Sequence, residues 1–194
     1  LRDALGVALL IAWSGEGAAG FGGMALRYLK APATLVGTAV SQALYPRLTQ
    51  STPAEAQRAV RQVMALLGAL ALVLMLVLLL VGPWLFATVF GAQWRDAGEL
   101  ARALAPYIAA HFVAAPLAVV TMAWQSQRWA FRLALVGQAV FLLCLAWGLW
   151  TGGLLRGAWA VSAGMVLYFG YYFWRLANWP SIPARAVAAA EGGA

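Results

Sequence analysis

Arg27 and Lys30 lie three residues apart in a stretch, Gly22 to Leu44, whose other side chains are apolar or weakly polar. On a helix the two cations share a face, and Thr34, Thr38, Ser41 and Tyr45 follow them at spacings of three and four. At about 100° per residue the six positions fall within roughly 80° of one another and form one polar stripe. The opposite face, with Leu26, Leu29, Ala33, Val36, Val40 and Leu44, is apolar. A stripe of this kind inside a membrane lines water or a polar ligand rather than lipid, because a charge in hydrocarbon costs a few kcal/mol or more. In a second reading both cations snorkel to the nearby interface. That reading leaves Thr34, Thr38 and Ser41 unexplained, since they continue the face to depths snorkelling does not reach.

His111 is the other candidate. It lies near the middle of an apolar run, on a side shared with Tyr107, Ala114, Ala115, Ala118 and Gln125. Its unperturbed pKa is near neutral. A packed neutral ring and a cavity-facing contact to a proton or anion are equally open readings. Cys144 is the single cysteine and reads as a small packed side chain, so no disulfide or metal cluster can be built on it. The acids are Asp3, Glu16, Glu55, Asp96, Glu99 and Glu191, all in loops, at helix ends or in the tail. No carboxylate pair is therefore available for general acid and base chemistry, and no intramembrane acid to bind Na⁺ or carry a proton. A Gly-rich phosphate loop and a nucleophile with an evident base are also missing. These absences argue against an enzyme, an ATP-driven pump, and any metal or organic cofactor.

The elements that position these residues are membrane helices. Hydrophobic residues make up 64% of the chain and charged ones 10%, and the charges cluster between long apolar runs. A spanning helix needs roughly 20 apolar residues. Val63 to Phe90, Leu133 to Leu155 and Gly157 to Trp174 qualify without an Asp, Glu, Lys or Arg; Ala103 to Trp124 and Gly22 to Leu44 qualify around their few ionisable groups. Ala4 to Trp13 would rise only about 15 Å, so the chain reads as a fragment starting inside a helix. The expectation is an all-α integral membrane protein of about six helices, the first truncated, over residues 1–179. Residues 180–194, rich in Pro, Ala and Gly, read as a disordered tail.

The net charge of +7 does not indicate nucleic acid, because the basic residues punctuate helix ends instead of forming runs. Arg47, Arg58, Arg61, Arg128, Arg132, Arg175 and Arg185 fall on one side of the implied topology, against Arg95, Arg102 and Arg156 on the other. By the positive-inside rule the first side, with the C-terminus, is cytoplasmic. Trp84, Phe90, Trp147 and Trp150 mark one interface and Trp124, Trp129, Trp174 and Trp179 the other. Thr52-Pro53-Ala54-Glu55 reads as a capping box with Pro at the first helical position, and Asp96 with Glu99 as a second box on the outer side. Pro32, Pro83, Pro106 and Pro116 should kink or interrupt helices. Gly148 and Gly152 have the spacing of a close helix contact.

The residues Ala25-Leu26-Arg27-Tyr28-Leu29-Lys30-Ala31-Pro32, followed by Leu35-Val36-Gly37-Thr38-Ala39-Val40-Ser41-Gln42-Ala43-Leu44-Tyr45-Pro46-Arg47, resemble a helix of the C-terminal half of Wzx-type polysaccharide flippases. These belong to the multidrug/oligosaccharidyl-lipid/polysaccharide (MOP) superfamily. Val89-Phe90-Gly91, Trp94-Arg95, Ala97-Gly98 and later Phe112-Val113 with Ala115-Pro116-Leu117 resemble the outer loop and following helix of the same proteins. The resemblance implies a C-terminal lobe of about six helices that works with an N-terminal lobe of the same chain around a central cavity. It also implies alternating access in a bacterial inner membrane, a polyprenyl-pyrophosphate-linked oligosaccharide as cargo for lipopolysaccharide or O-antigen synthesis, and a polysaccharide polymerase as a downstream partner. Arg27 and Lys30 match the basic motif, and their chemistry suits a pyrophosphate. Competing readings are a lipid II flippase, a drug or cation antiporter of the same superfamily, and a non-transporting scaffold of a polysaccharide assembly complex. In the scaffold the stripe would pack against a partner helix.

Overall fold

A computed structural model describes residues 37–180, all of which fall in the second of two compact units, residues 37–194. Arg27, Lys30, Thr34 and Pro32, the expected truncated helix and the expected C-terminal tail beyond residue 180 lie outside the described residues. Every regular element among the described residues is helical. α1 occupies residues 37–50. It is followed by α2 (Pro53–Phe90), a single 3₁₀ turn (Ala92–Trp94), α3 (Arg95–Ala123), α4 (Gln127–Gly152) and α5 (Leu154–Ala177). Three of these helices, α2, α3 (with the 3₁₀ turn) and α4, are long and apolar enough to cross a membrane. The protein is an all-α membrane protein.

α5 differs from expectation in composition, not in form. It has 24 residues, enough for about 36 Å, yet it is not among the three helices apolar enough to cross a membrane, and Tyr168, Tyr171, Tyr172 and Trp174 crowd its second half. Those rings are used in packing. Trp129 stacks on Tyr172 with centroids 6.1 Å apart, Trp179 meets Trp129 edge-on at 4.9 Å, and the Arg175 guanidinium lies 5.1 Å from the Trp179 centroid.

α2 starts where the sequence motif places it. The Thr52 hydroxyl accepts from the Glu55 amide, Glu55 Oε2 accepts from the Thr52 amide at 3.0 Å, and Pro53 occupies the first turn. At 38 residues the helix is about 57 Å long, well beyond a hydrocarbon core of about 30 Å, and its first turns carry Glu55, Arg58 and Arg61. The Thr52 hydroxyl and amide bonds hold the Glu55 carboxyl below the usual carboxylate range. A depressed carboxylate stabilises above its unfolded pKa and ceases to do so as pH falls through the folded value. Acidification below the ordinary glutamate range is therefore expected to fray the first turn of α2. Protection of the Glu55 to Gln57 amides against hydrogen exchange, relative to the intrinsic rate at each pH, should fall by roughly fivefold, the size of one lost helix cap, and Glu55→Ala should show the low protection at neutral pH.

The outer capping box expected at Asp96 is not formed. Trp94 is the N-cap of α3 and makes no side-chain cap bond; Asp96 lies inside the first turn, where the helix dipole favours it, and Glu99 pairs with Arg102 at 3.9 Å. The reason is the 3₁₀ turn, which runs directly into α3 and leaves no extended residue to act as a side-chain cap. Loops are shorter than the polar runs suggested. Residues 124–126 join α3 to α4, and Gly153 alone joins α4 to α5. Gly153 (φ 82, ψ −169) and Gly91 (φ 102, ψ 161) occupy a region open essentially to glycine, which is how these two turns can be this tight.

The short joins make consecutive helices antiparallel, so Arg47, Arg58, Arg61, Arg128, Arg132 and Arg175 gather at one end of the bundle and Arg95, Arg102 and Arg156 at the other. α3 is central: nearly half of its most apolar stretch is buried, against about a fifth in α2 and α4. Pro83, Pro106 and Pro116 sit within helices that continue past them. The Pro106 ring leaves the Arg102 carbonyl without its helical donor, and in the same turn the buried Ser162 hydroxyl of α5 donates to the neighbouring Ala103 carbonyl at 2.6 Å.

At the arginine-rich end the start of α2 clasps the end of α5. The Ala177 carbonyl accepts from Gln57 Nε2 at 2.9 Å and from Arg61 Nε and Nη2 at 2.9 and 2.7 Å. A guanidinium at a helix C-terminus also meets the negative end of the dipole. Arg61→Ala is expected to cost about 1 kcal/mol and to speed amide exchange over the last turn of α5, with the α3–α4 turn unchanged.

Candidate functional site

α1 carries the described part of the predicted stripe, and its two sides are unlike. Leu44 and Leu48 are buried and Val40 packs against the same core, so the apolar side faces the bundle. Gly37 and Ser41, one turn apart, meet α3 at Pro116: a Cβ on Gly37 would stand 3.8 Å from Pro116 Cγ, and the Ser41 hydroxyl donates to the Pro116 carbonyl at 3.1 Å. Ser41 is thus drawn inward, toward a neighbouring helix.

Thr38 and Tyr45 lie on the exposed side. Gln42 and Thr49 are exposed with them, giving a polar edge Thr38, Gln42, Tyr45, Thr49 at spacings of four, three and four. The Thr49 hydroxyl donates to the Tyr45 and Pro46 carbonyls at 3.2 and 3.0 Å, so it is anchored to its own helix. Gln42 and Thr49 were missed from the sequence. Extending the period from Thr38 instead of from Thr34 would have found them.

His111 is placed on α3 and is half-buried. Its ring stacks on Tyr107 with centroids 5.9 Å apart and lies 6.0 Å from Phe169 of α5. Tyr107 in turn meets Phe141 of α4 at 6.0 Å, so the histidine belongs to an aromatic group where three helices converge. The structure therefore brings Ser41 against α3 and His111 against α5, and leaves Thr38 on the open edge. Among the described residues, no three of His, Cys, Asp and Glu come together to hold a metal ion.

What α1 can do is set by this division. One side is fixed by packing and by the Ser41 bond, so its hydroxyl and amide groups on the other side are presented on a rigid element and not on a loop. Exposed hydroxyl and amide groups both donate and accept, and can exchange hydrogen bonds with a polyhydroxylated solute.

No curated protein and no solved structure matches the chain. Residues 6–99, just under half of the sequence, match a family described as polysaccharide biosynthesis protein; the chain is similar to that family over the segment that carries the basic pair, α1, all of α2 and the start of α3.

Proposed function

We propose that the chain is one lobe of a transporter that turns a polyprenyl-pyrophosphate-linked oligosaccharide across a bacterial inner membrane, without chemical change to the cargo. The carrying observation is the two-sidedness of α1, apolar and packed on one side, with Thr38, Gln42, Tyr45 and Thr49 exposed on the other. The similarity of residues 6–99 to a polysaccharide biosynthesis family supports the class of cargo. Arg27 and Lys30 neutralise the diphosphate, and the exposed edge of α1 exchanges hydrogen bonds with the sugars. An N-terminal lobe of the same chain closes the other side of the cavity, and the product passes to a polysaccharide polymerase. The arginine asymmetry supports an orientation with the Arg47, Arg58 and Arg175 end and the C-terminus in the cytoplasm.

Cysteine labelling tests the open edge. In the full-length parent with Cys144→Ala, Thr38→Cys is expected to react with a membrane-impermeant maleimide and to be protected by cargo, whereas Leu44→Cys stays unlabelled. If Thr38→Cys is as inert as Leu44→Cys, the edge faces lipid or a packed partner helix and the proposed cavity is wrong.

A further inference from the structure

α4 and α5 enclose a second feature, unrelated to the polar edge. A groove of about 530 Å³ runs along their outer surface, walled by Trp129, Arg132, Val136 and Val140 on α4 and by Leu167 and Tyr171 on α5. Two glycines let the helices approach beneath it: a Cβ on Gly164 would stand 2.6 Å from Cys144 Sγ, and one on Gly137 would enter the Tyr168 ring. Val136, Leu167 and Tyr171 are exposed, so the groove opens to the surroundings along its length.

Charge and length argue for one occupant. The only charged lining residue is Arg132, and it stands at the arginine-rich end beside Trp129 and Tyr171, the residue types that mark a membrane interface. From Arg132 to Val140 the helix rises about 12 Å, most of one leaflet of a hydrocarbon core about 30 Å thick. Below that end the lining is apolar apart from the Tyr168 hydroxyl. We infer that this groove is a binding site for a single anionic phospholipid of the leaflet at the arginine-rich end, with an acyl chain along Val136 and Val140 and the headgroup phosphate on Arg132. Arg128, one turn before Arg132, adds positive potential at the same level. The inference does not depend on what the protein transports.

Photo-crosslinking tests it in the full-length parent, reconstituted in vesicles of phosphatidylethanolamine and phosphatidylglycerol. A trace of phosphatidylglycerol with a photoactivatable acyl chain should crosslink to the peptides carrying Val136, Val140 and Leu167. The matching phosphatidylcholine probe should do so about fivefold less, the effect of one arginine near an anionic headgroup. Arg132→Gln should remove the difference, Arg102→Gln at the opposite end should not, and Val136→Trp, filling the groove at an exposed position, should lower crosslinking by both probes. Equal crosslinking by the two probes in the parent, a preference that survives Arg132→Gln, or labelling unaffected by Val136→Trp would each overturn the inference.

Discussion

Gly148→Leu is expected to destabilise the bundle by about 3 kcal/mol and to lower the thermal midpoint of the detergent-solubilised protein. α4 and α5 touch backbone to backbone at this position. A Cβ on Gly148 would overlap Gly157 Cα and stand 2.6 Å from the Gly157 nitrogen, so no rotamer change can make room. The two helices would have to separate, opening the contacts that continue to Gly137 and Gly164. Within a membrane such close packing replaces the hydrophobic effect as the source of helix association, which makes its loss expensive. Gly98 is a parallel case between α2 and α3, where a Cβ would stand 2.5 Å from Pro83 Cα. Gly68 is the contrast: nothing lies within 4 Å of its Cβ position, and Gly68→Ala should be neutral or stabilise by up to about 1 kcal/mol through helix propensity. If Gly148→Leu and Gly68→Ala have the same midpoint, the α4–α5 packing described here is wrong.

Replacing both cations, Arg27→Ala with Lys30→Ala, is expected to reduce surface polysaccharide by at least about a hundredfold in cells that depend on the parent protein. A hydrogen bond to a charged group contributes about 1.5–3 kcal/mol, and a diphosphate entering a cavity sheds much of its hydration. Losing two such partners leaves a deficit of about 3–6 kcal/mol, equivalent to a factor of roughly 10² to 10⁴ in occupancy or rate. Arg27→Lys should retain part of the activity, because it keeps the charge and gives up only the planar fork. Unchanged polysaccharide in the double variant would place the diphosphate elsewhere.

Much of the architecture was legible because it depends on local chemistry. Thr52-Pro53 with Glu55 specified a helix start that needs nothing beyond four consecutive residues, and the apolar runs specified α2, α3 and α4 because length and hydropathy alone decide them. α5 showed the limit of hydropathy, since its tyrosines and Trp174 are weakly polar and it is not among the candidate spans, while several of the rings pack against one another and against α4. Asp96 and Glu99 had the spacing of a capping box, but spacing does not reveal the 3₁₀ turn that supplies a different N-cap. Within the candidate site the period of α1 was readable and the partner of Ser41 was not. A serine on the edge of a polar stripe can turn either way, and the carbonyl that claims it belongs to Pro116, 75 residues along the chain. His111 was ambiguous for the same reason: its aromatic neighbours, Tyr107 and Phe169, come from α3 and α5, and only the folded bundle brings them together.

Translocation in liposomes tests the central claim most directly. The full-length parent, reconstituted with a fluorescent polyprenyl-pyrophosphate oligosaccharide, should move the label to the opposite leaflet, and the Arg27→Ala/Lys30→Ala variant should do so at least about a hundredfold more slowly while remaining folded. No movement by a folded parent would contradict the transport reading.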